Sequence, residues 1–312
     1  MTAAKNGGAN TKFVGITGTT CVGKSAVAVE VARRLGSFIV SADSMQIYKG
    51  MDIGTAKITT AEMQGVPHFM LDVCLPCDNY SSYLYQQQAA EIIRNCTKPP
   101  IVAGGTGFYF DSLLFPPEFG NVDEKRHEEL LQILNGEDGL NKLCEMLRQI
   151  DVAALEQVDI RNPKRVLRAL EIAESGQSRS RGTNAERKPQ FECVIFVLQR
   201  CREELYKQID ARVDKMVTDG LVDEVKGLVE KYGMCENSAF QAIGYKEVVE
   251  YLQGKLSLDE CAAKIKINTR HYAKRQISYF KRLPNTIFVD VDGKSKDEIA
   301  DFIVSKVDEL QF

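Results

Sequence analysis

The 312-residue sequence contains no apolar run approaching the 18 residues that crossing a bilayer requires, and its polar start, Met1 to Lys12, has no apolar core of a secretion signal. No membrane association is expected, and a cytoplasmic enzyme is the default. Charge of one sign is also missing, since 40 Lys and Arg face 43 Asp and Glu. There is no global positive field, so any nucleic-acid contact has to come from a local patch. Histidine is scarce: His68, His127 and His271 are scattered, and none stands beside an obvious nucleophile and acid, which leaves a hydrolase triad without support. Nine cysteines without a secretion signal argue for reduced thiols. The one C-x-x-C, Cys74 and Cys77, has neither a second pair nor a suitably spaced histidine to complete a zinc site. There is no internal repeat, and residues 1–10, rich in Ala, Asn and Gly, read as a disordered lead-in.

What is present starts with Gly18-Thr19-Thr20-Cys21-Val22-Gly23-Lys24-Ser25, directly behind the apolar run at 13–16 and directly before an amphipathic run at 26–35. This is the P-loop spacing G-x-x-x-x-G-K-[ST] with the strand in front and the helix behind that the motif needs. Glycines let the backbone turn several N–H groups onto one phosphate, the helix N-terminus adds its positive end, and Lys24 adds a full charge. Ser25 can hold a magnesium ion that bridges phosphate oxygens. The alternative is a glycine turn that merely opens a helix. The flanks favour a site for a diphosphate or polyphosphate.

The first third alternates short apolar runs with helical segments, the pattern of a parallel α/β sheet. Strands are expected at 13–17, 38–41, 68–73 and 100–103, with helices at 25–35 and 81–95. After Pro116-Pro117 the composition turns helical and charged, with short helices at 123–134, 140–147, 151–156 and 163–174, and a Ser-, Arg- and Gly-rich loop at 175–189. The strand pattern returns at 193–198. The expected fold is therefore a P-loop (NTPase/kinase-like) α/β parallel-sheet core, residues 12–115 and 189–312, interrupted by an all-helical insertion at 116–188. Later helices are expected at 203–219, 222–232, 245–253, 258–283 and 296–310, with a last strand at 286–291. On the helix at 258–283, Ile265, Tyr272, Gln276 and Phe280 are expected on the inner side and Arg270, Lys274 and Lys281 together on another.

Asp43 follows the second strand, where open α/β sheets bind ligands, so its carboxylate can take a proton or position magnesium; its plain role is to cap a turn. Asp72 is a similar, strand-end candidate. Gly104-Gly105-Thr106-Gly107 ends another strand, where glycines admit a ligand and Thr106 offers a hydroxyl, or simply make a tight turn. The window from Lys255 to Leu283 holds eight Lys and Arg against two acids, the local patch that net charge denies, or else a solvated helix face.

The P-loop, the run Ser41-Ala42-Asp43-Ser44-Met45-Gln46-Ile47-Tyr48 on to Lys57, and Gly104-Gly105-Thr106-Gly107-Phe108-Tyr109 resemble the tRNA dimethylallyltransferases. So do Asn162-Pro163-Lys164-Arg165-Val166-Leu167-Arg168, Arg212-Val213-Asp214, Gln241-Ala242-Ile243-Gly244-Tyr245-Lys246 and Thr269-Arg270-His271-Tyr272-Ala273-Lys274-Arg275-Gln276. The resemblance covers about residues 12 to 283, in order. It implies transfer of a dimethylallyl group from dimethylallyl diphosphate to N6 of adenosine 37 beside the tRNA anticodon, with the P-loop holding the donor's diphosphate and Mg2+ rather than ATP. It further implies Asp43 as general base with Thr106 near it, Lys24 at the leaving diphosphate, and Arg212 gripping it. Asp43, Ser44, Met45 and Gln46, Lys164 to Arg168 and Gln241 to Lys246 are implied contacts to the anticodon stem-loop, and Arg270 and Lys274 belong to the basic patch. The chain looks like the compact bacterial-type form without a zinc finger, and a monomer is expected. Three readings remain beside it: an adenylate isopentenyltransferase acting on free AMP, ADP or ATP, a small-molecule P-loop kinase, and an RNA-binding P-loop protein without transferase activity.

Overall fold

Strands that are buried throughout rather than alternating belong in a sheet covered on both faces, and the four inner strands of the computed structural model fit that rule, while the two edge strands do not. It describes residues 11–116, 123–176, 188–234 and 239–312; the expected lead-in and most of the expected loop at 175–189 lie outside the described residues. β1 (Lys12–Gly18), β2 (Ile39–Ser41), β3 (His68–Phe69), β4 (Ile101–Ala103), β5 (Glu192–Gln199) and β6 (Thr286–Asp290) form one sheet in the order β3-β2-β4-β1-β5-β6, every pairing parallel. β1 is central, with Val14 opposite Ile101 on one side and Val194 on the other. β3 is shorter than the expected 68–73. Met70 and Asp72 take φ of 64° and 54°, and backbone in that region cannot continue a ladder.

One face is covered by α1 (Lys24–Leu35) and α13 (Lys296–Glu309). Val27, Val31, Ile299 and Ile303 pack there against Val14, Ile16, Val194 and Phe196. α1 stops at Gly36, whose φ of 59° lets its N–H reach back to the Ala32 and Arg33 carbonyls. The chain after β2 includes one short helix, α2 (Thr60–Met63), and the sheet strands are joined by α3 (Ser82–Arg94) and α4 (Gly107–Leu114). At Gly15 a Cβ would lie 3.2 Å from the Phe110 ring, so the missing side chain lets α4 approach the sheet. Nothing in the sequence announces α4. Six of its eight residues are buried, so it has no polar face to reveal a helical period.

The chain divides into two compact units, one running to Leu114 and resuming over Gln190–Phe312, the other Phe115–Pro189. The second unit holds α5 (Glu124–Asn135), α6 (Gly139–Ile150), α7 (Val152–Gln157) and α8 (Pro163–Glu174), and no strand among its described residues. Its core is Leu130, Leu143, Leu147, Ala154, Val166 and Leu170. α8 begins with the Asn162 side chain accepting the Arg165 N–H and Pro163 in the first turn, where its missing N–H costs nothing.

In the first unit α9 (Arg202–Thr218), α10 (Leu221–Tyr232), α11 (Tyr245–Leu252) and α12 (Leu258–Phe280) build a separate apolar cluster. Val213, Leu221, Val225, Tyr245 and Ile265 there enclose Ile47, Tyr48 and Met51 from the loop after β2. That loop is thus held against helices, over the carboxyl edge of the sheet. Among the cysteines, Cys74 is a buried free thiol in this cluster, while Cys77 is disulfide-bonded, against the expectation of reduced thiols. The C-x-x-C sulfurs therefore do not act as a pair.

Candidate active site

β1 runs into the phosphate loop at the carboxyl edge of the sheet. A Cβ at Gly18 would fall 2.3 Å from the Leu198 carbonyl oxygen, so only glycine fits. Cys21 and Gly23 then take left-handed φ of 62° and 91°, the backbone of an anion nest, and α1 follows with its free N–H groups. Lys24 folds back, its Nζ donating to the Thr19 carbonyl at 2.6 Å. Burial pulls its pKa down to about 8; the Asp43 carboxylate opposes that fall and the Arg212 guanidinium adds to it. A lysine so placed gains most from an arriving anion.

Beside the loop lies a cavity of about 720 Å³, within the range of small-ligand sites. Thr20, Cys21, Gly23, Lys24 and Ser25 line it from the phosphate loop, and Asp43, Ser44, Met45 and Gln46 from the end of β2. Gly54 to Ala56, Arg212, Gln241 to Lys246, Tyr272, Arg275 and Gln276 close it. The carboxylate of Asp43 therefore faces the same space as Lys24 and Arg212. Its Oδ1 also accepts the Met45 N–H at 3.0 Å, so the turn-capping role and the cavity-facing role coincide in one side chain.

Thr106 does not line the cavity. Its hydroxyl accepts the Ser44 N–H at 2.9 Å and donates to Ser44 Oγ at 3.1 Å, while its own N–H donates to the Ala42 carbonyl at 3.0 Å. It ties the β4 turn to the Asp43 segment. Gly104 permits this closeness, because a Cβ there would sit 2.2 Å from Ala42 backbone. Of the remaining phosphate-loop residues, Val22 is packed in the core and Thr19 is buried with its hydroxyl unpartnered.

Arg212 reaches from α9, its Nη1 donating to Thr20 Oγ1 and its Nη2 to the Thr55 carbonyl, both at 3.4 Å. The Thr55 loop is itself anchored by Glu224, whose carboxylate accepts the N–H groups of Asp52, Ile53 and Gly54 at 2.7 to 3.1 Å and the Tyr245 hydroxyl at 2.6 Å. Burial raises the Tyr245 pKa, with the Glu224 carboxylate adding to the rise. Tyr272 is likewise raised, by burial first and the Asp43 carboxylate second. Both phenols stay protonated donors.

The other sequence candidates fall elsewhere. Asp72 takes the Lys57 ammonium at 2.6 Å and does not line the cavity. Lys164 and Arg165 lie exposed on α8, whereas Val166 and Leu167 are core residues of the second unit, and Arg168 pairs with Glu171 at 3.1 Å. On α12, Arg270 is bound to Asp210 and lies over the Tyr206 ring, Lys274 is exposed, and Arg275 lines the cavity. Sequence reasoning missed Arg275 and Glu224. Gln276, expected only to pack, instead makes polar contacts at both ends.

A parallel sheet whose central strand feeds a phosphate nest, opposite a carboxylate and a helical wall of cations, defines a P-loop-type group transferase. The profile of the IPP transferase family matches residues 46–283, and that of isopentenyl transferase matches residues 11–74. The tRNA dimethylallyltransferase of Carboxydothermus hydrogenoformans is 40% identical over 304 residues, covering 95% of this chain and 97% of that protein. The enzyme of the same name from Bacillus mycoides is 39% identical, covering 95% of each. Among solved structures, the tRNA delta(2)-isopentenylpyrophosphate transferase of Staphylococcus epidermidis superposes with a TM-score of 0.72 at 36% identity, covering 96% of this chain and 99% of that one. A eukaryotic dimethylallyltransferase acting on tRNA gives 0.82 at 29% identity, covering 97% and 80%. The chain belongs to the IPP transferase family, that of the tRNA dimethylallyltransferases, and is an enzyme. No helix among its described residues is long and apolar enough to cross a membrane.

Proposed function

We propose that this enzyme transfers the dimethylallyl group of dimethylallyl diphosphate to N6 of adenosine 37 beside the tRNA anticodon and releases diphosphate. The observation that carries the reading is the shared cavity: the phosphate loop with Lys24 and Arg212 on one side, the Asp43 carboxylate on the other. The N6–carbon bond forms as the carbon–oxygen bond to the diphosphate breaks, and the N6 proton passes to Asp43. Backbone N–H groups, Lys24 and Arg212 stabilise the charge gathering on the departing oxygen. Apolar side chains such as Met45, Met216 and Ile265 on the same cavity suit a five-carbon hydrocarbon. The cavity is also roomy enough to admit a purine extruded from an anticodon loop, where unstacking costs no more than a few kcal/mol.

Ser25, on the cavity wall at the first turn of α1, would hold a magnesium ion. A hydroxyl next to a phosphate-binding loop is an oxygen ligand of the kind magnesium takes. When bound, it supplies neutralisation of the leaving group. For the tRNA, Lys246 and Arg275 at the cavity, Lys164 and Arg165 on α8 and Lys274 on α12 are the contact cations. The enzyme is proposed to act as a monomer, in the cytoplasm with the tRNA.

The test is incubation with isotope-labelled dimethylallyl diphosphate and either tRNA or AMP. Label is expected in tRNA, as N6-dimethylallyl adenosine after nuclease digestion. Label in AMP alone would instead make the chain an adenylate isopentenyltransferase, and ATP turnover without prenyl transfer would make it a kinase.

A further inference from the structure

A buried amide side chain has two ends to satisfy, and the one on α12 satisfies them on two different turns of the active site. Gln276 is 5% exposed. Its Oε1 accepts the Thr20 N–H of the phosphate loop at 2.9 Å, and its Nε2 donates to the Gly105 carbonyl of the β4 turn at 2.8 Å. Thr20 and Gly105 are 256 and 171 residues away in sequence. One turn earlier on the same helix, the Tyr272 hydroxyl points at the same Gly105 carbonyl, at 3.4 Å. Gly105 is where the side chain needs room, since a Cβ there would lie 2.6 Å from Gln276 Nε2 and only in ordinary contact, 3.7 Å, with Lys24 Nζ.

The two turns that Gln276 joins carry the two halves of the chemistry. The phosphate loop carries Lys24. The β4 turn carries Thr106, which holds Ser44 and so the Asp43 segment. Both bonds run to backbone, so the side chain is a strut between the two turns, and it already takes the Thr20 N–H. We propose that Gln276 is a positioning residue which fixes the phosphate loop against the β4 turn, and thereby the distance from the donor's reacting carbon to the Asp43–acceptor pair. This rests on the prenyl-transfer reading given above.

Such a role predicts loss in turnover rather than in binding, because a misplacement of about 1 Å can cost on the order of 100-fold in rate. Gln276→Met keeps length and burial and removes both hydrogen bonds. At saturating donor and tRNA its kcat is expected to fall roughly 10- to 100-fold, while the donor KM, inhibition by inorganic diphosphate and tRNA affinity stay within about threefold. Gly105→Ala, which pushes the amide from the other side, should give a similar loss, and the double variant should be no worse than either single one, as expected for groups acting through one contact. Melting curves on all three confirm folding, and Gly105→Ala carries the test should Gln276→Met not fold. A kcat within twofold of the native value in a folded Gln276→Met protein overturns the proposal. So does a loss confined to tRNA affinity, or fully additive effects in the double variant. The native protein is assayed alongside: absence of prenyl transfer by it would remove the prenyl-transfer reading, and this proposal with it, before any variant is considered.

Discussion

On the sheet side of the cleft, Thr20, Lys24 and Asp43 stand within a few residues of the ends of β1 and β2, and their places follow from the strands themselves. On the helical side, Arg212, Tyr272, Arg275 and Gln276 arrive from α9 and α12, and their places follow from how those helices pack. Apart from Lys24, which is held by the neighbouring Thr19 carbonyl, these sheet-wall residues present backbone and short side chains. The helical wall presents long ones, most of them tied down: Arg212 to Thr20 and Thr55, Gln276 to Thr20 and Gly105. Long side chains lose rotamer freedom when they are held, up to about 2 kcal/mol each, so hydrogen bonds to backbone do on this wall what chain connectivity does on the other. The chemistry is expected to fail abruptly when the sheet wall is altered, and by degrees when the helical wall is.

The comparison breaks most sharply at Asp43. Asp43→Ala should lower kcat by about 10²- to 10⁴-fold, the span for loss of a general base, with tRNA affinity within a few-fold; single-turnover transfer assays with parallel filter binding measure both. Behind the helical wall, on α10, Glu224→Ala leaves three backbone N–H groups and a phenol without their acceptor. Water can replace part of this, so a stability loss of about 2 kcal/mol is expected, read from urea unfolding. The donor KM should rise with it because the Thr55 loop that holds Arg212 is loosened. Arg212→Lys exchanges a fork for a point charge and should raise the donor KM roughly tenfold, with kcat changed less.

The pH dependence of donor binding sharpens the electrostatic side. With its pKa lowered to about 8 by burial, Lys24 is protonated below that pH and neutral above it in the empty site. A bound diphosphate favours the charged form. The donor affinity should therefore be flat below about pH 8 and fall above it, by up to tenfold per pH unit, with proton uptake on binding measurable by calorimetry in buffers of different ionisation heat. Lys24→Arg should flatten that limb. The smallest effect separates two arginines of α12. Arg270 already carries the Asp210 carboxylate, whereas Arg275 lies on the cavity wall over the Tyr272 ring. Arg275→Ala should reduce the salt slope of tRNA binding by about one unit, and Arg270→Ala by clearly less. Equal slopes would mean that the Asp210 pair opens when RNA binds.

Much of this was readable before any coordinates. The six strands, the phosphate loop and the helical interruption could each be found in the residue order, whereas the run from Gln241 to Lys246 was singled out only by family resemblance, as an RNA contact, and the structure puts it on the cavity wall. Elements that escaped did so for identifiable reasons. α4 is too uniformly apolar to show a period, and β3 ends early because two non-glycine residues adopt left-handed backbone. Val166 and Leu167 sit in a motif whose neighbours are basic, yet helical geometry turns them into the core of their own unit.

The sequence by itself determined the turn of the phosphate cradle, because eight consecutive residues with glycines at the first and sixth places permit the backbone it needs. It also determined that Asp43 would stand at the carboxyl end of a strand, where open α/β sheets bind ligands, since it directly follows the second apolar run. Which cations remain unpaired, which carboxylate holds the Thr55 loop, and what joins the phosphate loop to the β4 turn were decided only by tertiary structure. Those pairings link positions up to 256 residues apart, and nothing local in a chain records which helix face will come to lie against which turn.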